Sequence, residues 1–106
     1  MKEFNDYQQA VLEFKQYDGF WDIVYPTLEI ANEAGEVAGL VKKWIRGDYK
    51  DIDKQKMIDE LGDVLFPMAM LCNAMNIGMN EIAARNIEKL KDRKRRGKIK
   101  GSGDNR

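Results

Sequence analysis

The stretch 27–46 of this 106-residue chain reads TLEIANEAGEVAGLVKKWIR, in which apolar residues recur at helical intervals beside a row of acids. Thr27 is the expected N-cap of a helix, and Gly47 is the expected stop signal. Glu33 and Glu36 are three residues apart, so their carboxylates share one face of that helix. The stretch therefore predicts an amphipathic helix with an acidic stripe.

A second acidic pair follows after 23 intervening residues, in the sequence DELGD at 59–63. Glu60 and Asp63 are again three residues apart, inside a helix predicted over 53–76, and apolar residues flank them. A carboxylate beside an apolar surface is costly unless it has a partner. If the two acidic faces meet, up to four negative charges converge, and cations must neutralise them. Clustered oxygen ligands suit a hard divalent ion, above all Mg²⁺.

The remainder of the chain is also predicted to be helical. Apolar residues at helical spacing predict helices over 2–17 and 80–95, and no segment alternates with the period of a strand. The sequence therefore predicts an all-α domain of four helices at 1–96. A Gly-rich C-terminal tail at 97–106 is expected to be non-helical, and we refer to it as the Gly-rich tail.

Composition narrows the chemistry. The chain has no histidine, which excludes Ser-His-Asp catalysis and zinc sites that use histidine. Cys72 is the only cysteine, so no disulfide forms within the chain, which fits a cytoplasmic location. Eighteen basic residues balance 18 acidic ones, so net charge suggests neither a nucleic-acid polymer nor a membrane as partner. The basic run at 89–100 is interpreted either as a solvated helix end or as an anion-binding segment.

Glycine occurs inside each acidic pair, as Gly35 and Gly62. Glycine in a helix interior costs about 1 kcal/mol relative to alanine. Its missing side chain lets a second helix or a ligand approach the backbone closely. We therefore expect a close approach at both positions.

The pattern Glu33-x-x-Glu36 followed by Glu60-x-x-Asp63 resembles the ExxE…ExxD signature of the all-α nucleoside triphosphate pyrophosphohydrolases. The chain is most similar to the short MazG-like proteins, because NIEKLKDR at 86–93 and GSGDNR at 101–106 also match. Relatives often carry Glu-Glu-x-x-Glu, and Asn32 replaces the first of these acids.

The resemblance implies hydrolysis of (deoxy)nucleoside triphosphates to a monophosphate and pyrophosphate, in a role such as nucleotide-pool sanitation. It also implies a four-helix MazG-like bundle completed by formation of a homodimer or a homotetramer. Mg²⁺, with Mn²⁺ as a possible substitute, would be held by the catalytic acids Glu33, Glu36, Glu60 and Asp63.

The substrate contacts implied by the resemblance lie near the basic run. In the matching Asn-x-x-Lys segment, Asn86 and Lys89 are the best candidates for binding phosphate, followed by Arg93. Base recognition is open: Trp21 and Tyr25, or Trp44, could stack on a base, or could instead belong to the core or to a subunit interface. Lys43, beside Trp44, could reach a phosphate.

Two other functions remain open at this stage. A phosphoribosyl-ATP pyrophosphohydrolase would use the same metal chemistry on a different nucleotide. A non-catalytic helical module would use the acids in salt bridges with the basic helix end and would mediate contacts between subunits.

Overall fold

The computed structural model describes residues 3–106, and within that range it contains helices and no strands. Its four α-helices are α1 (Phe4–Ala10), α2 (Val24–Ile45), α3 (Lys54–Ala74) and α4 (Met79–Arg95). Two 3₁₀ turns lie between α1 and α2, at Val11–Phe14 and Gly19–Trp21. The prediction of an all-α domain with four helices is confirmed. Residue 2 of the predicted helix 2–17, and residues 1 and 2 of the predicted domain 1–96, lie outside the described range.

The first helix is shorter than predicted. α1 ends at Ala10 and tightens into a 3₁₀ turn, after which Lys15 is extended, with φ −63° and ψ 129°. This turn lets Tyr17 pack on the same core as Tyr7. A continuous helix would place these two residues about 15 Å apart along its axis, so tertiary packing shortens the helix.

α2 begins three residues before the predicted N-cap. Thr27 lies inside the first turns, where its hydroxyl donates a hydrogen bond to the carbonyl of Ile23 at 2.7 Å. Pro26 is fully buried in the first turn, where a missing N–H costs no helical hydrogen bond. The prediction of Thr27 as the N-cap is therefore wrong, because the proline lies within the helix and does not precede it.

α3 begins with a side-chain N-cap. The Asp53 carboxylate accepts hydrogen bonds from the backbone N–H groups of Gln55 at 2.9 Å and Lys56 at 3.3 Å. The helix continues through the buried Pro67 to Ala74. α4 then departs at an angle of 104° to α3.

The core lies at the corner between α3 and α4, and α1 closes it. Its buried apolar residues are Val11, Ala69, Met70, Cys72 and Met79. The buried Gln8 of α1 donates to the carbonyl of Ile77 at 2.7 Å and accepts from the N–H of Met79 at 2.8 Å. These bonds satisfy backbone groups at the corner that would otherwise be buried without partners.

α2 packs along α3 as a helical hairpin, whereas α4 packs against α1. The Cα radius of gyration is 16.5 Å, compared with about 13 Å for a compact domain of this length. Many large apolar side chains are consequently exposed; among the most exposed are Phe20, Leu28, Ile45 and Ile58. One chain therefore leaves much of its apolar surface uncovered.

Within residues 3–106, no single helix has the length and apolar character needed to cross a membrane. Only α3 and α4 taken together, bent at 104°, meet that condition by length and composition.

Candidate metal and phosphate site

Three of the four predicted metal ligands converge where α2 and α3 pack together. Carboxylate oxygens of Glu33, Glu60 and Asp63 all lie within 4.8 Å of one another. Glu60 and Asp63 come from one face of α3, as their three-residue spacing predicts, and Glu33 faces them from α2. We call these three residues the acidic cluster. Glu33 and Glu60 are half-buried, and Asp63 is exposed.

The negative charges in this cluster act on one another. Desolvation, followed by the charges of Asp63 and then Glu60, raises the pKa of Glu33 above its usual value. The pKa of Tyr7 on α1 is also raised, first by burial and then by the charge of Asp63. A carboxylate whose ionised form is disfavoured by its neighbours gains most from a nearby cation.

The residues present fit a small divalent ion. All three donors are carboxylate oxygens, the ligand type that Mg²⁺ and Mn²⁺ prefer. Their oxygens lie within 4.8 Å of one another, which is close enough for the three carboxylates to share one ion.

Glu36 does not join the acidic cluster. Its side chain is exposed one turn further along α2, although its charge still contributes to the raised pKa of Glu33. Glu29, one turn before Glu33, is half-buried, and desolvation raises its pKa. The spacing of the acids identified the stripe on α2 but could not show which of its members face α3.

The predicted phosphate-binding residues lie on α4, apart from the acidic helices. The Lys89 ammonium lies 3.0 Å from a carboxylate oxygen of Asp104, and a guanidinium nitrogen of Arg93 lies 3.2 Å from the same oxygen. Arg93 is buried, with 6% of its surface exposed. Asn86 is exposed one turn before. Lys89 and Arg93 are four residues apart, so α4 presents them on one face.

The Gly-rich tail forms a closed loop against this face. The Arg106 guanidinium donates to three carbonyls of the loop, those of Lys98 at 3.1 Å, Gly103 at 2.8 Å and Ile99 at 3.4 Å. Arg96 of α4 donates to the backbone oxygen of Arg106 at 2.6 Å. The tail is non-helical, as expected. Nothing in the sequence pointed to Asp104 or Arg106 as contact residues except the match of GSGDNR to the short MazG-like proteins.

Glycine conformation shapes this loop. Gly97, Gly101 and Gly103 have φ of 68°, 141° and 80°, a region that other residues rarely adopt. The glycines let the chain reverse direction after α4, so that Asp104 comes back beside Lys89.

The aromatic and basic candidates for base recognition are dispersed. Trp44 is partly exposed, and its indole N–H donates to the carbonyl of Lys50 at 3.3 Å. The preceding residue, Lys43, is exposed. The Tyr25 ring stacks on Tyr17, with ring centroids 4.6 Å apart. Trp21, the remaining candidate, makes an edge contact with the neighbouring Phe20 at 4.6 Å between centroids. The structure does not bring these side chains into one pocket.

The two glycines of the acidic pairs have open surroundings. Beyond the backbone of its own helical turns, a Cβ at Gly35 or at Gly62 meets no atom within 4 Å. Within a single chain, therefore, neither glycine permits the close helix approach that the sequence suggested.

Comparison with known proteins gives a family match over most of the chain. The profile of the MazG nucleotide pyrophosphohydrolase domain matches residues 26–97, which include most of α2 and all of α3 and α4. The chain is also 38% identical over 109 residues to the Gene 37 protein of Mycobacterium phage L5, covering 94% of this chain and 96% of that protein. No solved structure matches the chain significantly.

Proposed function

Since the chain belongs to the family of the MazG nucleotide pyrophosphohydrolase domain, we propose that it hydrolyses (deoxy)nucleoside triphosphates to a monophosphate and pyrophosphate with Mg²⁺. The observation that carries this proposal is the convergence of Glu33, Glu60 and Asp63 within 4.8 Å. Three carboxylates so close together repel one another, and a divalent ion that also binds a polyphosphate would neutralise that repulsion.

In this proposal Glu33, Glu60 and Asp63 would hold Mg²⁺, which would supply positive charge for the phosphate oxygens and a lower pKa for a bound water. Glu36 is exposed beside the cluster, and it completes the ligand set as the substrate binds.

Lys89 and Arg93 are proposed to bind the phosphates that leave as pyrophosphate. Both side chains already pair with an anion, the Asp104 carboxylate, so their position suits a phosphate oxygen. Asn86 lies one turn before them on α4 and would donate a neutral hydrogen bond. Charge at this end would stabilise negative charge on the leaving group.

The proposal includes self-association. Within one chain the acidic cluster lies on α2 and α3, whereas Lys89 and Arg93 lie on α4, which packs against α1. On α3, Ile58, Leu61, Leu65 and Met68 follow at intervals of three and four residues, which gives one apolar face. Ile58 and Leu61 are 61% and 51% exposed. Leu65 and Met68 line an open apolar cavity of about 210 Å³ between α1, α3 and α4. A second copy that covers this face would form a homodimer, and two dimers a homotetramer.

The direct test is release of pyrophosphate from a panel of nucleotides, including phosphoribosyl-ATP, with and without Mg²⁺. We expect Mg²⁺-dependent release that is lost in Glu60→Gln. Asp59→Asn is the matched control, because Asp59 is an exposed acid on the same helix outside the acidic cluster. Hydrolysis of phosphoribosyl-ATP alone would favour the histidine-pathway type of enzyme. No release from any nucleotide would favour the non-catalytic helical module.

The cellular role that we propose is removal of unwanted nucleoside triphosphates in the cytoplasm. The single cysteine, Cys72, is buried and unpaired in a chain that has no disulfide to maintain, which supports a reducing compartment.

A further inference from the structure

The strongest feature outside the acidic cluster is the contact of Asp104 with the two cations of α4. The Asp104 carboxylate accepts from Lys89 at 3.0 Å and from Arg93 at 3.2 Å, and the Asp104 carbonyl accepts from Arg93 at 3.3 Å. The exposures differ sharply: the Arg93 side chain is 8% exposed, whereas the Asp104 side chain is 81% exposed. Arg93 is thus held within the fold, whereas Lys89, with 37% of its side chain exposed, and Asp104 lie nearer the solvent.

The loop that carries Asp104 is closed independently of this carboxylate. Arg106 donates to three carbonyls within the loop, and Arg96 donates to the backbone oxygen of Arg106. None of these bonds uses the Asp104 side chain. The carboxylate can therefore rotate away from Lys89 and Arg93 while the loop stays folded against α4.

We propose that Asp104 is a displaceable internal anion, which holds Lys89 and Arg93 in position until a phosphate of the nucleotide takes its place. The inference rests on the proposed function for the class of its ligand, a polyphosphate. A phosphate group has more charge and more acceptor oxygens than a carboxylate, so it can replace both side-chain contacts at once. Asp104 thereby keeps two like charges close together and ordered in the free protein, at the expense of affinity for the substrate.

Binding of inorganic tripolyphosphate to the full chain tests this proposal, measured by calorimetry in the presence of a chelator. Asp104→Asn removes the competing charge and keeps the shape of the side chain. We expect it to bind tripolyphosphate about fivefold more tightly than the wild type, the order of effect of removing an exposed ion pair. Because the probe and buffer require neither hydrolysis nor metal, the result is independent of whether the chain is a pyrophosphohydrolase.

Glu88→Gln is the matched control. Glu88 is an exposed acid on α4, next to Lys89, so its replacement removes the same charge and leaves Lys89, Arg93 and the loop bonds of Arg96 and Arg106 in place. We expect its affinity for tripolyphosphate to remain within twofold of the wild type. Equal or weaker binding by Asp104→Asn overturns the proposal, and so does an equal gain in both variants, which would reflect net charge alone.

A second measurement follows the loop directly by NMR. Tripolyphosphate should shift the backbone amide signal of Asp104 in the wild type, while the Arg106 side-chain N–H signal persists. Loss of the Arg106 signal would mean that the whole loop opens, and this too would contradict displacement of the carboxylate alone.

Discussion

The Lys89 ammonium and the Asp104 carboxylate lie 3.0 Å apart, although 15 residues separate them in the chain. Through this pair, the Gly-rich tail gives α4 a counter-charge on the face that we assign to phosphate. The acidic cluster, by contrast, has three carboxylates within 4.8 Å of one another. The two ends of the proposed site therefore differ, because the two cations of α4 are partly neutralised by a carboxylate of the same chain, whereas the acidic cluster gathers like charges.

Replacing Glu60 or Asp63 by its amide should abolish activity, lowering turnover by about a hundredfold or more at limiting Mg²⁺ because a ligand is lost. The same change should raise the melting temperature in metal-free buffer, since it relieves repulsion with Glu33. Circular dichroism melts with a chelator, alongside the pyrophosphate assay, measure both effects.

Glu36→Gln is the comparison for this prediction. Glu36 lies outside the acidic cluster, so its replacement should retain more Mg²⁺ binding than Glu60→Gln does, although activity should still fall. Near-wild-type turnover of both Glu60→Gln and Asp63→Asn at limiting Mg²⁺ would contradict the assignment of Glu60 and Asp63 as metal ligands.

Truncation after Lys100 should lower kcat/KM by about tenfold or more. It removes Arg106, and with it the bonds that hold the loop beside Lys89 and Arg93. Lys89→Ala should be more damaging, because it removes a charge next to the departing pyrophosphate. Steady-state kinetics with all four deoxynucleotides measure this.

The truncation is expected to lower kcat/KM. Asp104→Asn keeps the loop and removes only the competing charge, so it is expected to tighten the binding of tripolyphosphate. If the truncated protein has an unchanged kcat/KM on every deoxynucleotide, the loop has no part in catalysis.

The ion pairs of Asp104 with Lys89 and Arg93 should persist as the pH is lowered towards the folded pKa of Asp104. Hydrogen bonds from Lys89 and then from Arg93 hold the pKa of Asp104 below its usual range. Because the folded pKa is the lower one, the stabilising contribution is fully present above the unfolded value of about 3.9 and is lost as pH falls through the folded value. An NMR titration of the Asp104 carboxyl should show a midpoint below about 3.9.

Lys89→Ala should move that midpoint upward, whereas Lys91→Ala leaves both partners of Asp104 in place and should not. A midpoint that is the same in all three proteins would show that the ion pair is absent in solution.

The chain should self-associate at micromolar concentration. Ile58→Lys places a charge on the exposed apolar face of α3 and should weaken association by about tenfold or more, since a charge cannot be buried there without a partner. Ile45→Lys is the matched control at the end of α2, where Ile45 is 75% exposed and lies off that face. Light scattering that finds a stable monomer in an active wild-type preparation would contradict the prediction.

Gly62→Ala should raise the stability of the isolated chain by about 0.5–1 kcal/mol, because alanine favours the helix and its Cβ meets nothing within 4 Å. Urea denaturation measures this gain. If the variant is more stable but loses activity or self-association, a ligand or a second copy approaches Gly62. An unstable variant would mean that the surroundings of Gly62 are tighter than the structure indicates.

The sequence by itself determined the helices and the acidic pairs. Spacing along a helix is fixed by the backbone, so Glu60 and Asp63 share a face wherever α3 lies. The glycines at 97, 101 and 103 indicated the non-helical character of the Gly-rich tail. The motif pattern also identified the family, because two acidic pairs at a set separation carry information that neither pair carries alone.

Only the tertiary structure decided which side chains meet. Gln8 bonds to Ile77 and Met79 across about seventy residues of sequence. Packing of α2 on α3 brings Glu33 into the acidic cluster and leaves Glu36 outside. The pairing of Lys89 with Asp104 depends on a loop closed by Arg106. These contacts join residues that are distant in the chain, so their geometry depends on how the helices pack and not on any local period.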